Sequence, residues 1–351
     1  MQWMIYGANG YTGELIAREA VRLGMQPILA GRSRDKLQPL ASELDLETRA
    51  FDLRDSAAMR IALDGVALVL HCAGPFSATS APMIEGCLAV GAHYLDITGE
   101  VPVFEHTLAA AQSDRARGKG VVLCSGVGFD VIPTDCVALK LKQLMPDATH
   151  LSLGFDTSSG LSPGTSKTAI EGLGQGCLER RDGKLVTTGM GSKHREIDFG
   201  RGPRYAMAIP WGDVSTAYHT TGIANIDTWF PAPKSVVIGA QMINLVRPLM
   251  NAAWVQRLLK NLAGRYVKGP DQSTRDKLPT YVWGEARNAA GEVKTVRIKT
   301  ANGYSLTVDG ALTIAVWLMN NSVEGGSYTP AKLLGAELVE KLPGSGKFQV
   351  D

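Results

Sequence analysis

Short apolar runs recur along the first third of the chain, at residues 3–6, 27–30, 48–51, 66–71, 93–95 and 120–124. Between them, apolar residues return every three or four positions, the spacing of a helix with one buried face. Strand and helix in alternation predict a parallel sheet with helices on both sides. Six such strands suit a doubly wound α/β sheet, whose ligand cleft opens where the chain reverses between the first and fourth strands. From about Thr280 the pattern changes. TYVWGEARN and GEVKTVRIKT are joined by a short turn, and Val296 and Ile298 alternate with Arg297 and Lys299, so one face is apolar and the other basic and wet. Antiparallel strands are expected there, with ANG at 301–303 turning the chain into a third strand before a helix from about Asp309 to Met319. Such a sheet closes a second domain or pairs two copies in a homodimer, and the pattern leaves both open.

The first turn carries the clearest chemistry. Gly7, Gly10 and Gly13 lie between strand one and a helix from about Tyr11 to Leu23, which Gly24 ends. The spacing is GxxGxxG, a variant of GxGxxG. An early glycine permits the tight turn, a middle one lets backbone approach a pyrophosphate, and the last lets helix pack on strand. Asn9, Tyr11 and Thr12 complete the loop and the first helical turn, whose N–H groups and positive dipole end face an anion.

At the end of strand two, an Asp or Glu would accept hydrogen bonds from an adenosine ribose. The chain instead offers Gly31, Arg32, Ser33, Arg34 and Lys36. A guanidinium fork, a hydroxyl and an ammonium suit a 2′-phosphate, so NADP(H) is favoured over NAD(H), with Arg32, Ser33 and Lys36 as its ligands. Ser33 also stands where a helix cap belongs. Asp52 and Leu53, after strand three, either flank the adenine or, for Asp52, cap a helix near Ser56. Ala73, Gly74, Pro75 and Phe76 sit at the mouth of strand four, where small residues allow close approach to the nicotinamide end. His71 and Cys72 read as core.

Composition narrows the field. With 351 residues and 45% hydrophobic content, the chain is long enough for two domains. Its 36 basic and 34 acidic residues leave a formal charge of +2, which makes no global case for a nucleic-acid partner. The five cysteines form no CxxC pair and no cluster with metal-ligand spacing, so reduced core thiols, no metal and a cytoplasmic setting are expected. No basic stretch, apolar run and cleavage site precede the first strand, and the apolar stretch from Ser235 to Val246 is too short to span a bilayer. No Ser/His/Asp triad or paired-carboxylate constellation is legible.

Residues 124–135, CSGVGFDVIPTD, leave strand six through glycines and enter a helix. A strand-end loop on the ligand side makes Gly128, Phe129 and Asp130 candidate substrate contacts, although Asp130 and Asp135 also read as helix caps. The Gly/Ser/Thr-rich segment 158–176 either holds a carboxylate or thioester oxygen through Thr165, Ser166 and helix N–H groups, or is an ordinary capped loop. Tyr328 and Lys332 share the YxxxK spacing of short-chain dehydrogenases, but Pro330 lies between them and they follow the strands by about two hundred residues. Closing the C-terminal segment onto the first domain is the favoured role. Residues 234–270 hold six Lys or Arg and no Asp or Glu among apolar residues. A packed helical hairpin with a wet basic side, peripheral contact with an anionic membrane and cover for an acyl chain all remain open.

GANGYTG, LAGRSRDKL, CAGPF and GVGFDVIPTD together resemble the saccharopine dehydrogenase-like family, above all its trans-acting enoyl reductase subgroup, and GGSYTPAKLLG resembles that subgroup's closing motif. The resemblance implies an NADP-binding Rossmann domain over 1–127, a substrate or dimerisation domain with α/β structure over 128–325, and a return of 326–351 to the first domain. It implies an NADP-dependent oxidoreductase acting on a small molecule, acyl or lipid-like for the enoyl subgroup, by hydride transfer to an enoyl, conjugated carbonyl or imine group. A water or a side chain such as Asp130, Lys167 or Tyr94 would supply the proton. A saccharopine-type amino acid substrate, and a non-catalytic NADP-binding sensor or lipid-associated protein, are the alternatives. No cluster for two substrate carboxylates is recognisable.

Overall fold

A computed structural model describes residues 2–157, 176–246, 252, 254–257, 261 and 278–351. The chain divides into two compact units: Met1–Asp130 with Leu306–Leu333, and Val131–Ser305 with Leu334–Asp351.

Unit one is built on a parallel seven-stranded sheet. Its strands are β1 (Gln2–Tyr6), β2 (Ile28–Gly31), β3 (Thr48–Ala50), β4 (Val66–His71), β5 (His93–Asp96), β6 (Val122–Cys124) and β15 (Gly326–Tyr328). The order is β15-β6-β5-β4-β1-β2-β3, so the sequence turns back on itself beside β1 and β4. Tyr6 pairs with His71, His71 with Asp96 and Leu95 with Cys124, which brings the carboxyl ends of four strands to one edge. The central strands β1 and β4 are largely apolar because helices cover both faces; Met4, Ile5, Leu68 and Leu70 are fully buried. The helices α1 (Tyr11–Arg22), α2 (Arg34–Leu44), α3 (Ser56–Ala62), α4 (Phe76–Val90), α5 (Val101–Thr107) and α6 (Ala110–Gly118) fill the crossovers. In α1 the buried positions Gly13, Ile16, Ala17 and Ala20 form one stripe, and Ile16 alone stabilises this contact by about 2 kcal/mol.

The seventh strand is the YxxxK segment. Tyr328 pairs with Cys124, and its hydroxyl donates to the Glu324 carbonyl at 2.9 Å. Lys332 is exposed on the short helix Pro330–Leu334. The segment thus extends the first sheet, as the sequence favoured.

Unit two carries a mixed sheet of β10 (His194–Asp198), β11 (Pro203–Ile209), β12 (Asn225–Pro231), β7 (Ala148–Thr157), β13 (Thr280–Asn288), β14 (Val293–Thr300) and β16 (Gln349–Val350), in that spatial order. β8 (Cys177–Arg181) and β9 (Lys184–Thr188) form a side hairpin, with β8 paired to β12. β12 and β7 are parallel, and the other pairs are antiparallel. Helix α7 (Ile132–Leu144) packs on this sheet, and Gly284 of β13 makes room for it: a Cβ there would come within 2.5 Å of Val137 and 2.8 Å of Leu141. The hairpin β13–β14 has the expected apolar face, with Val296 and Ile298 buried.

Three expectations need correction. ANG at 301–303 does not start a third strand. Asn302 accepts a hydrogen bond from the Tyr304 amide at 3.0 Å, and one helix runs from Gly303 to Asn320. The β-branched stretch before Asp309 read as strand, but its Leu306 and Val308 are buried as helix positions. The return to unit one accordingly begins at Leu306, earlier than residue 326. The last residues do not all follow it, because β16 pairs with β14 and holds 334–351 in unit two.

Candidate nucleotide-binding site

The loop after β1 is shaped by three glycines with separate duties. Gly7 has φ +87°, a conformation that side chains rarely adopt, and a Cβ on it would lie 2.8 Å from both Cβ and the amide nitrogen of Ala73. Gly13 packs the first turn of α1 onto the loop: a Cβ there would meet the Gly7 carbonyl oxygen at 2.4 Å. Gly10 occupies the N-cap position, so no side chain caps α1. Tyr11 and Thr12 begin the helix, half-buried, and Asn9 is exposed above it. The Asn9 amide oxygen also approaches β2, 3.1 Å from where a Cβ on Gly31 would stand. This backbone cradle fits a dinucleotide pyrophosphate, because any larger residue at 7 or 13 would fill the space that the backbone needs.

Around the end of β2, Arg32 and Lys36 are exposed and Ser33 is half-buried. Ser33 stands at the N-cap of α2 but makes no side-chain capping bond, which leaves the cap alone a poor account of it. Asp52 answers its own ambiguity. It pairs with Arg54 at 2.7 Å and accepts the Arg54 amide at 2.9 Å, while Asp55 caps α3 through the amides of Ala57 and Ala58. These hydrogen bonds from Arg54 hold the Asp52 carboxyl well below the usual carboxylate range. Leu53 is buried in the core with Phe51 and Met59, so any approach to a ligand there is through its backbone.

Beyond β4, Ala73, Gly74 and Pro75 form a short loop in which Gly74 and Pro75 are exposed; the Gly74–Pro75 peptide is cis. Phe76 opens α4 and stands edge-on to His71, with ring centroids 5.4 Å apart. Burial pushes the His71 imidazole down to about 3 and the Cys72 thiol up, so both stay uncharged, as core residues do. The amides of Phe76 and Ser77 donate to the two carboxylate oxygens of Glu100 at 2.9 and 2.7 Å. This helix end carries an internal anion.

Behind the loops lies a buried polar hub. Asp96 accepts from the amides of Thr98 and Gly126 at 3.0 and 2.9 Å, and from the hydroxyls of Tyr94 and Ser125 at 2.7 and 2.9 Å. Burial pushes the Asp96 carboxyl up against four hydrogen bonds that favour its ionised form. The hub ties the loop after β5 to the loop after β6. It also corrects one candidate: Tyr94 is fully buried and its hydroxyl is committed to Asp96, so it is a strut of the hub and no donor to a substrate.

The loop after β6 places its three candidates differently. Gly128 is buried against the helix Gly303–Asn320, where a Cβ would meet the Thr307 methyl at 2.9 Å, and the Phe129 amide donates to the Thr307 hydroxyl at 3.0 Å. Gly128 is therefore a packing glycine, because its missing side chain is what admits Thr307. Phe129 and Asp130 are half-buried. Asp130 lies against the loop after β5: a Cβ on Gly99 would stand 2.9 Å from its carboxylate oxygen. Burial pushes this carboxyl up to about 6. Asp135 is fully buried inside α7 of unit two, where Val131 holds the N-cap position, and accepts from the Thr220 hydroxyl at 2.5 Å. Thr165, Ser166 and Lys167 lie outside the described residues. Among the described residues, no group of three or more His, Cys, Asp or Glu could hold a metal ion.

The signal that sequence reading missed was Glu100, whose partners lie 24 and 23 positions earlier. Gly99-Glu100 follows β5 as the other loops follow their strands, and that position was the available clue.

Comparison with known proteins agrees with this geometry. Residues 3–124 match the saccharopine dehydrogenase NADP binding domain. The human saccharopine dehydrogenase-like oxidoreductase is 31% identical over 196 residues, covering 49% of this chain and 46% of that protein. A lipid droplet localized protein of Caenorhabditis elegans is 25% identical over 278 residues, 72% of this chain and 63% of that one. A Mycobacterium tuberculosis protein whose name proposes a trans-acting enoyl reductase is 29% identical over 139 residues, 38% of this chain and 33% of that one. The chain spans about half the length of the curated relatives it matches. Apo saccharopine dehydrogenase (L-Glu forming) from Saccharomyces cerevisiae superimposes with a TM-score of 0.68 over 100% of this chain and 99% of that one; at 10% identity it shows the fold alone. Residues 3–124 are thus a saccharopine dehydrogenase NADP-binding domain with NADP(H) as its cofactor, and over about half its length the chain is similar to saccharopine dehydrogenase-like oxidoreductases.

Proposed function

We propose that the chain is an NADPH-dependent reductase that directs hydride to an enoyl, conjugated carbonyl or imine group of a small molecule, acyl or lipid-like in kind. One observation carries the reading: Asp130, with its carboxyl raised to about 6, is held at the same sheet edge as the glycine loop. A group that gains and loses a proton near neutrality is what general acid catalysis requires. The names of the worm and mycobacterial relatives favour an acyl or lipid-like acceptor.

When bound, NADPH supplies the hydride. The chain supplies the rest. Gly7, Asn9, Gly10, Tyr11, Thr12 and Gly13 receive the pyrophosphate, and Arg32, Ser33 and Lys36 grip the 2′-phosphate. Asp52 and the Leu53 backbone flank the adenine, and Ala73, Gly74, Pro75 and Phe76 border the nicotinamide end. Phe129 shields the acceptor from water, and Asp130 gives it a proton, which with the hydride completes a two-electron reduction. The hub around Asp96 keeps the loops after β5 and β6 together, so Asp130 stays seated on Gly99. Five free cysteines, four of them buried, suit work in a reducing compartment such as the cytoplasm.

The test is NADPH oxidation against a panel of enoyl thioesters, ketones and imines, with products identified by mass spectrometry. A proton donor works in its protonated form, so kcat falls as pH rises through about 6. Asp130→Asn should lower kcat about 100-fold and remove that limb of the profile. NADPH binding without turnover of any acceptor would leave a cofactor sensor instead, and an unchanged profile in the variant would take Asp130 out of the chemistry.

A further inference from the structure

Thr79, near the start of α4, reaches back into the loop that follows β4. Its hydroxyl donates to the Ala73 carbonyl at 2.7 Å and lies 3.0 Å from the Pro75 carbonyl. The second contact is the ordinary one between a helical threonine and the carbonyl four residues before it. The first spans six residues, leaves the helix for the loop, and is the shorter of the two. A hydroxyl has one hydrogen to give, so the His71 ring, whose Nε2 stands 3.0 Å from the same oxygen, must donate to it. Burial pushes the His71 imidazole down to about 3, and this donor therefore keeps one protonation state across the physiological range.

The direction of one peptide group follows. Among the described residues the cis peptide is Gly74–Pro75, so Ala73–Gly74 is trans, and in a trans peptide the C=O and N–H point opposite ways. Drawing the Ala73 oxygen toward α4 turns the Gly74 N–H away from that helix. Gly74 is exposed, and among the described residues no carbonyl or side chain accepts from its amide. The same peptide lies against the glycine loop, since a Cβ on Gly7 would stand 2.8 Å from the Ala73 nitrogen. The next amides along the chain, those of Phe76 and Ser77, are already taken by Glu100. We propose, resting on the placement of the nicotinamide end at this loop, that Thr79 is a positioning residue: by fixing the Ala73 carbonyl it aims the Gly74 N–H at an oxygen of the nicotinamide half of NADPH. The donor is then oriented before the coenzyme arrives, which spares part of the ordering cost of binding.

The test is calorimetric titration of the full chain with NADPH and with adenosine 2′,5′-bisphosphate, which carries the 2′-phosphate but lacks the nicotinamide half. Thr79→Val keeps the branched shape and removes the hydroxyl. NADPH should bind this variant about 5- to 10-fold more weakly, the worth of one hydrogen bond, while the bisphosphate binds as before. Thr79→Ser should bring NADPH back to within about twofold of the wild type. The emission of the bound nicotinamide should move toward that of free NADPH in the valine variant and return in the serine variant. Equal losses for both ligands would make Thr79 a support of the fold alone. Unchanged NADPH binding in the valine variant, or a serine variant as weak as the valine one, would remove Thr79 from the positioning of the coenzyme. Turnover is not read in this titration, so failure of the reductase reading shows separately, as NADPH binding without reduction of any acceptor.

Discussion

Two helices of unit one begin at the same edge of the sheet, and their first turns are treated in opposite ways. α4 starts at Phe76, and Glu100 accepts from its first two amides at 2.9 and 2.7 Å. α1 starts after Gly10, with no side-chain cap, behind backbone that Gly7 and Gly13 keep thin. Both ends carry the same partial positive charge from aligned peptide dipoles. One is neutralised by a carboxylate from within the protein, and the other, which has no side-chain cap, is the seat proposed above for the phosphates of the coenzyme. A helix N-terminus by itself therefore says little about ligand binding; what surrounds its first turn decides.

The largest effect should come from filling the thin loop. Gly13→Val places a branched side chain where even a Cβ meets the Gly7 carbonyl at 2.4 Å. NADPH affinity should fall more than about 100-fold and the melting temperature by several degrees. Tight binding retained in that variant would remove the end of α1 as the phosphate seat. Next is Arg32→Ala, which leaves the loop intact and removes a charged fork. Calorimetric titration should show NADPH about 10- to 100-fold weaker and NADH unchanged; equal losses for both would place Arg32 away from the 2′-phosphate.

At the other helix, Glu100→Gln should cost about 1–2 kcal/mol in urea unfolding, because a neutral acceptor replaces a carboxylate on two first-turn amides. NADPH affinity should stay within about threefold, and a larger drop would mean that the two helix ends are not separate in function. Asp309 gives the smallest effect and the sharpest contrast, a carboxyl within a helix instead of at its start. Burial and the nearby Glu19 push it up to about 6. An acid raised on folding binds its proton more tightly in the native state, so its ionisation opposes folding as pH rises from about 4 through 6 and stays constant above. Asp309→Asn should therefore stabilise the protein at pH 8 by up to about 1 kcal/mol after solvent screening, with the gain gone at pH 4.

How much was legible follows the range of each interaction. Six of the seven strands of the first sheet stand where apolar runs placed them, and the glycine loop with its helix stands at the expected turn, because these depend on local pattern and backbone freedom. The caps were less legible. Asp52 and Asp55 are both acids before the same helix, and only coordinates show that Arg54 takes the first while the second accepts from Ala57 and Ala58. Glu100 was invisible as a cap because its partners are distant in sequence. Gly128 read as a ligand contact, since a glycine made for a substrate and a glycine made for Thr307 look alike until helix and loop are packed.

Sequence alone determined the parallel architecture of the first unit, the place of its glycine loop and the basic set beyond strand two, since alternation of apolar positions and the steric demands of glycine act over a few residues. Tertiary structure decided what surrounds each acid: Asp96 and Glu100 are held by donors from other loops, and Asp130 lies against Gly99, where burial raises its proton affinity. A carboxyl group's behaviour depends on the donors and the solvent around it, and folding brings those from far along the chain.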